Sequence, residues 1–299
     1  MKLCLGTVQF GMNYGIRGQK QPALQDALKM LDYATQNGIE AIDTAASYGT
    51  AEDVVGAFLS KNTIARNKLF ISSKFTPNAL DEISNKDYKK VIDAHLTKTL
   101  SRLHTDYLDS YIFHSSRYAF DEAKLQALYE VKREGRVRHC GVSVYYPEEA
   151  KACIHNPFVD FIQLPSSIFD QRMLRSGVFD LAHQNGSTQI HSRSAFIQGL
   201  ILMQPEDVPP FLAGAKPILQ KIDELCQRYH LSRIQVALLF VKQFDAISHL
   251  VFGVDNIEQL KEDIHIFSQD LSKEILQEMA VTFKNVSTDI MMPSLWVKK

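Results

Sequence analysis

Eight short apolar or β-branched runs recur along the chain: Leu3–Gly6, Ala41–Asp43, Leu69–Lys74, Ser110–His114, Val137–Val142, Phe161–Leu164, Gln189–Ser192 and Leu250–Gly253. The stretches between them carry helical periodicity. Leu24, Ala27, Leu28, Leu31 and Ala34 form one apolar stripe, with Pro22 near its start and Gly38 at its stop. Ile92, Leu96, Leu100 and Leu103 form a second stripe, and Leu125, Leu128 and Lys132 a third that Gly135 ends. A strand buried on both faces reads as a near-continuous apolar run. Eight such strands alternating with helices predict an α/β fold, a parallel (β/α)8 TIM barrel, over a sheet with open edges.

At 299 residues and 45% hydrophobic content the chain has the size of one such barrel, so residues 1–299 are read as a single domain. Pro205, Pro209, Pro210 and Gly214 mark a loop insertion rather than a domain linker. After the last strand, helical patterns at Ile257–Phe267 and Lys273–Phe283 give an extra C-terminal helix and a tail ending in Trp296. That tail either reaches over the barrel mouth or lies along its side.

Basic and acidic side chains, 33 and 34 of them, are mixed along the chain, and the formal charge of −1 offers no field to draw in nucleic acid or an anionic membrane. The opening MKLCLGTVQFG is too short an apolar run for a signal peptide, and no stretch approaches the ~20 apolar residues of a membrane span. A soluble, cytoplasmic protein is expected. Cys4, Cys140, Cys153 and Cys226 are widely spaced with no C-x-x-C pair, which predicts buried reduced thiols and neither a metal site nor disulfides.

In a barrel, chemistry gathers where strands end and the following loops converge. That rule selects Asp43 at the end of the second strand, Tyr48 in its loop, Lys74 at the end of the third and His114 at the end of the fourth. Singly, each has a structural reading: a turn cap, an amphipathic wall, a solvated strand end, a bonded core histidine. Together they carry more weight, because a buried lysine beside a buried carboxylate is costly unless both are well satisfied. A phenol titrates near ~10, and a proton donor works best with a pKa near the working pH. An ammonium within reach would lower the Tyr48 pKa, while Asp43 would stabilise that ammonium. On this reading Asp43 and Tyr48 lie close in IDTAASYG because both address Lys74.

These four residues in this order, with IDTAASYG followed by Glu52 and Gly56, resemble the aldo-keto reductase superfamily. The likeness extends over nearly the whole chain, through LCLGTVQFG, GRVRHCGVS, FIQLP with Gln163, the FIQGL segment at Phe196–Leu200 and FGVDNIEQLKED. The resemblance implies a barrel enzyme that moves a hydride from a reduced nicotinamide cofactor to an aldehyde or ketone. Tyr48 would be the general acid, Lys74 and Asp43 would tune it, and His114 would orient the carbonyl. Ser143 and Gln163 would hold the nicotinamide carboxamide. The loop Gly253–Asn256, with Asp255 within it, would meet the cofactor phosphate at a helix N-terminus. No G-x-G-x-x-G follows the first strand, so a Rossmann site is unsupported.

The chain departs from the family pattern in three places. Val144 stands where an asparagine often follows the serine of GVS, and Arg193 stands where an aromatic ring often stacks on the nicotinamide. A guanidinium can also lie flat on a ring, or meet a phosphate, a substrate carboxylate or a structural acid. At the adenine end the chain offers Asp255 and Gln259, and Glu262 and Asp263 are either adenine contacts or a solvated helix face. The family implies NADP; Asp255, which would repel a 2′-phosphate, argues for NAD. Two other readings stay open: a nicotinamide-binding redox sensor on the same barrel, and a Schiff-base aldolase using Lys74. Ser115–Phe120, Phe169 and Met291–Trp296 are expected to line the substrate pocket, with Arg117 and Arg172 favouring anionic or sugar-like carbonyls.

Overall fold

The computed structural model describes residues 1–296. Its strands are β1 (Lys2–Gly6), β2 (Ala41–Asp43), β3 (Phe70–Phe75), β4 (Leu108–Phe113), β5 (Val137–Ser143), β6 (Phe161–Pro165), β7 (Gln189–Arg193) and β8 (His249–Phe252). Each pairs in parallel with the next, and β8 pairs with β1 with Lys2 opposite His249, which closes the barrel. All eight expected runs are strands. β4 starts two residues earlier than the apolar pattern suggested and stops one residue short of His114, because Leu108 and Asp109 are also buried in the sheet.

The helices that cover the outer face include Leu24–Gln36, Tyr88–Leu103 and Glu122–Val131, each carrying one of the apolar stripes seen in the sequence. Gly135, at φ 91°, turns the chain from the last of these into β5. The proline-rich stretch forms short turns at Pro205–Asp207 and Pro210–Ala215. The tail packs on the segments that follow β6 and β7: Arg172 reaches Met292, Trp296 packs near Phe211, its ring 6.5 Å away, and its indole N–H donates to the Ile290 carbonyl.

Two apolar cores result. One is the shell between sheet and helices; the other, inside the lumen, joins Cys4, Ala41 and Val251 to Phe70. Below that cluster the lumen is plugged by rings, with His191 4.4 Å from His249, 4.6 Å from Phe161 and 5.2 Å from Phe70. All four cysteines are free thiols, three buried and Cys226 half-buried. Among the described residues no helix is long and apolar enough to cross a membrane.

Candidate active site

The site starts from a backbone contact. A Cβ on Gly11 would lie 1.8 Å from the Tyr48 carbonyl oxygen, and one on Gly49 would lie 2.2 Å from the Gly11 carbonyl oxygen. Only glycine allows that approach, and it seats the loop carrying Tyr48 against the end of the first helical turn. Thr50 N–H donates to the same Gly11 carbonyl.

Lys74 is fully buried on β3. Its Nζ donates to Asp43 Oδ2 at 2.6 Å and to the Thr44 carbonyl at 3.0 Å. Asp43 Oδ1 accepts from Gln163 Nε2 at 2.7 Å, so strands β2, β3 and β6 are tied together across the lumen. A buried ion pair is tolerated when its remaining donors and acceptors are taken, and both carboxylate oxygens here are.

Lys74 approaches Tyr48 through the ring: Nζ stands 4.9 Å from the ring centroid and makes no hydrogen bond to the hydroxyl. The expected lowering of the phenol pKa is therefore corrected. Burial, and next the Asp43 carboxylate, push the Tyr48 hydroxyl upward, with Arg193 acting in the opposite sense. Tyr48 is a neutral phenol. His114 sits edge-on to it at 5.7 Å, and its Nδ1 is 3.1 Å from the Ser47 hydroxyl, which leaves Nε2 for the cleft. Burial, then the charges of Lys74 and Arg193, bring His114 down to about 3, so this ring is also neutral at ordinary pH.

A cleft of about 610 Å³ opens above these groups. Asp43, Tyr48, His114, Gln163 and Arg193 line one end, and Gly253, Asp255, Gln259, Glu262 and Asp263 line the other. Lys74 lies behind Asp43, and Ser143 is buried at the end of β5 outside the wall. Asn256 also stands outside it, because its side chain caps its own helix, Ile257–Phe267, by accepting from Gln259 N–H at 2.9 Å. Asp263 is not on a solvated face. It is 4% exposed, and burial, with Glu262 beside it, raises its carboxyl to about 8.

The residues expected to shape a substrate pocket lie elsewhere. Arg117 bonds to Asp81 and Asn78, Arg172 to Asp170 at 2.7 Å, and Phe169 packs on Phe283 at 5.7 Å. None of them, nor the Met291–Trp296 tail, lines the cleft. Its walls instead include Gln9, Tyr14 and Tyr145, which sequence reasoning missed. Tyr145 follows β5 by two residues, so the strand-end rule could have found it; Tyr14 follows β1 at a distance no local pattern marks. Tyr14 belongs to a small hairpin that crosses the cleft, with Ile16 N–H donating to Gln198 carbonyl at 2.9 Å and Arg17 paired to Asp207.

The residues fit an elongated ligand with an amide at one end. Gln163 Oε1 is buried without a partner beside the Asp43–Lys74 pair, an acceptor suited to the N–H of a carboxamide. Gln9 Oε1 is likewise orphaned, and a Cβ on Gly253 would come within 2.4 Å of it. Gly253 thus leaves room for the Gln9 side chain at this end of the cleft.

Comparison with known proteins gives the family and the fold. A model of the "Aldo/keto reductase family" matches residues 2–281. "Protein tas" of Escherichia coli (strain K12) is 26% identical over 93% of this chain and 92% of its own length. An "NADH-specific methylglyoxal reductase" of the same organism is 27% identical over 81% of this chain and 84% of its own. Among solved structures, the aldo-keto reductase AKR11C1 from Bacillus halodurans (holo form) superposes over 97% of this chain and 95% of its own, with a TM-score of 0.77 at 21% identity. That last likeness concerns the fold. With the family model spanning nearly the whole barrel, the chain belongs to the aldo/keto reductase family.

Proposed function

We propose that this chain reduces an aldehyde or ketone to the alcohol, with NADH preferred over NADPH. The observation that carries the reading is the meeting of Tyr48, His114 and the orphaned Gln163 Oε1 in one cleft over a paired Lys74 and Asp43.

A reduced nicotinamide, when bound, supplies the hydride. Tyr48 is protonated and gives its proton to the carbonyl oxygen as that oxygen gains charge. The phenolate left behind takes a proton back from water in the open cleft. The Lys74 ammonium, 4.9 Å from the ring centre, stabilises the negative charge spreading over that ring. With Nδ1 bonded to the Ser47 hydroxyl, the tautomer that carries its hydrogen on Nε2 polarises the carbonyl. Gln163 would hold the carboxamide, with Ser143, which the family pattern adds, buried behind the wall, and the backbone of Gly253–Asn256 would hold phosphate. A Schiff base on Lys74 is disfavoured, since its ammonium donates to a carboxylate and a carbonyl.

The adenosine end sets the cofactor preference. Asp255, Glu262 and Asp263 are there with Gln259; among the described residues the cleft wall has no lysine, and its arginines are Arg193, beside Tyr145, and Arg17, paired with Asp207. A 2′-phosphate would add negative charge beside Asp255 and Glu262, whereas a free ribose hydroxyl can donate to Asp255. On this reading NAD is the cofactor, and NADP, which the family pattern implies, is the alternative that the titration below tests.

The test combines titration of NAD⁺ and NADP⁺ by protein fluorescence with loss of NADH absorbance over a panel of aldehydes. NADP⁺ is expected to bind at least about tenfold more weakly, and Tyr48→Phe to lower turnover about 100-fold or more with NAD⁺ affinity retained. Tight dinucleotide binding without turnover of any carbonyl would replace the enzyme with a redox sensor.

A further inference from the structure

The cleft holds a cation that proton and hydride transfer leave unused. Arg193 closes β7, is half-buried, and lays its guanidinium 4.4 Å from the Tyr145 ring centroid. Nη2 donates to the Val144 carbonyl at 3.0 Å and Nη1 to Ser194 Oγ at 3.3 Å. A guanidinium has five N–H donors, so most of its donor capacity is uncommitted. Lys74 is paired with Asp43, Arg17 with Asp207, Arg117 with Asp81 and Arg172 with Asp170. Arg193 alone of these has no carboxylate at ion-pair distance among the described residues. Its charge is felt at His114, Tyr48 and Tyr14, which places it at the reacting end of the cleft.

We propose that Arg193 selects the substrate by receiving an anionic group, a carboxylate or phosphate, borne by the same molecule whose carbonyl meets Tyr48 and His114. This rests on the reductase reading and adds the substrate class to it. An oxidised nicotinamide ring is itself positively charged, so a bare guanidinium is a poor neighbour for it and a good one for an anion. The Tyr145 stack and the Val144 carbonyl already hold the fork in place, so little freedom is lost when a bidentate partner arrives. Tyr14, on the same wall, is held as a phenol by burial, which pushes it up to about 12, and so has a hydrogen to offer the same anion.

The test uses substrate pairs differing in charge: 4-carboxybenzaldehyde against 4-formylbenzamide, and glyceraldehyde 3-phosphate against glyceraldehyde. kcat/KM is expected to favour the charged member by at least about tenfold in one pair, and which pair it is separates carboxylate from phosphate. In Arg193→Gln the charged-to-neutral ratio should fall toward one, and Arg193→Lys should restore part of it. Taking the ratio within each protein cancels any general loss of folding or cofactor binding. Calorimetric titration of 4-(hydroxymethyl)benzoate and 4-(hydroxymethyl)benzamide into the dinucleotide complex should show the same preference without turnover. A ratio near one in the parent protein overturns the proposal. So does a ratio unmoved by Arg193→Gln, and if dinucleotide affinity falls in that variant, Arg193 belongs to the cofactor. Should no carbonyl be turned over, the reductase reading fails instead, and the calorimetric preference decides the role of Arg193 by itself.

Discussion

At the C-terminal end of the lumen Lys74, Asp43 and Gln163 bond to one another beneath an open cleft, whereas at the N-terminal end His191 and His249 stack on Phe70 and Phe161. Both ends bury polar side chains completely; Lys74 and His191 are each 0% exposed. At the upper end charge is kept and matched, atom against atom. At the lower end it is removed: burial holds His191 well below its ordinary range and brings His249 down to about 4. His191 Nδ1 lacks a partner altogether, and the rings serve as aromatic filler. Depth of burial therefore does not mark chemistry in this barrel; matched charge with access to a cleft does.

The sharpest way to break this contrast is Lys74→Met, which leaves the Asp43 carboxylate buried with Gln163 as its remaining side-chain partner. Turnover should fall by about 1,000-fold or more, and urea denaturation should show a loss of about 3–5 kcal/mol. A variant as stable as the parent would mean that the upper end is filler as well. Asp263→Asn probes the acid buried in the cleft wall. With its carboxyl raised to about 8, the folded chain keeps a proton that the unfolded chain releases near ~4, so stability falls as pH rises between those values. The amide removes that penalty. Its gain should be on the order of a few kcal/mol at pH ~8 and vanish near pH ~4, as read from denaturation midpoints across pH.

His249→Phe should have the smallest effect and the opposite pH dependence. Neutral His249 favours the folded state above the unfolded value near ~6.5, and that contribution is lost as pH falls toward about 4. Replacing it with a ring that cannot take a proton should recover about 1–3 kcal/mol at pH ~4.5 and leave stability at pH ~8 nearly unchanged. An acid limb identical in both proteins would show that the floor rings do not govern acid unfolding.

Strands and covering helices were legible because their signal is periodic and local: the Leu24–Ala34 stripe needs no distant residue to be read. Asp43, Tyr48, Lys74 and His114 were legible because strand ends are predictable once strands are. The relation of Lys74 to Tyr48 was not, since whether an amine meets a phenol by its oxygen or its ring depends on a few ångströms of loop path set by Gly11 and Gly49. Asn256 and Asp263 show the same limit. The family resemblance gave them as cofactor contacts, but only the three-dimensional turn decides that one caps its helix and the other is buried. The misplaced pocket at Arg117, Arg172 and the tail has the same origin: each arginine found a nearby acid, and nothing in linear order announces such a pairing.

Closure of the ring has a consequence for how the protein is made. β8, whose His249 stands opposite Lys2, is the last of the eight strands in chain order, so one flank of β1 stays open until the other strands have been made. Until that final stave arrives, the nascent sheet exposes two hydrogen-bonding edges to the cell. Removing β1 would make this temporary exposure permanent, leaving β2 and β8 each without a neighbour on one flank.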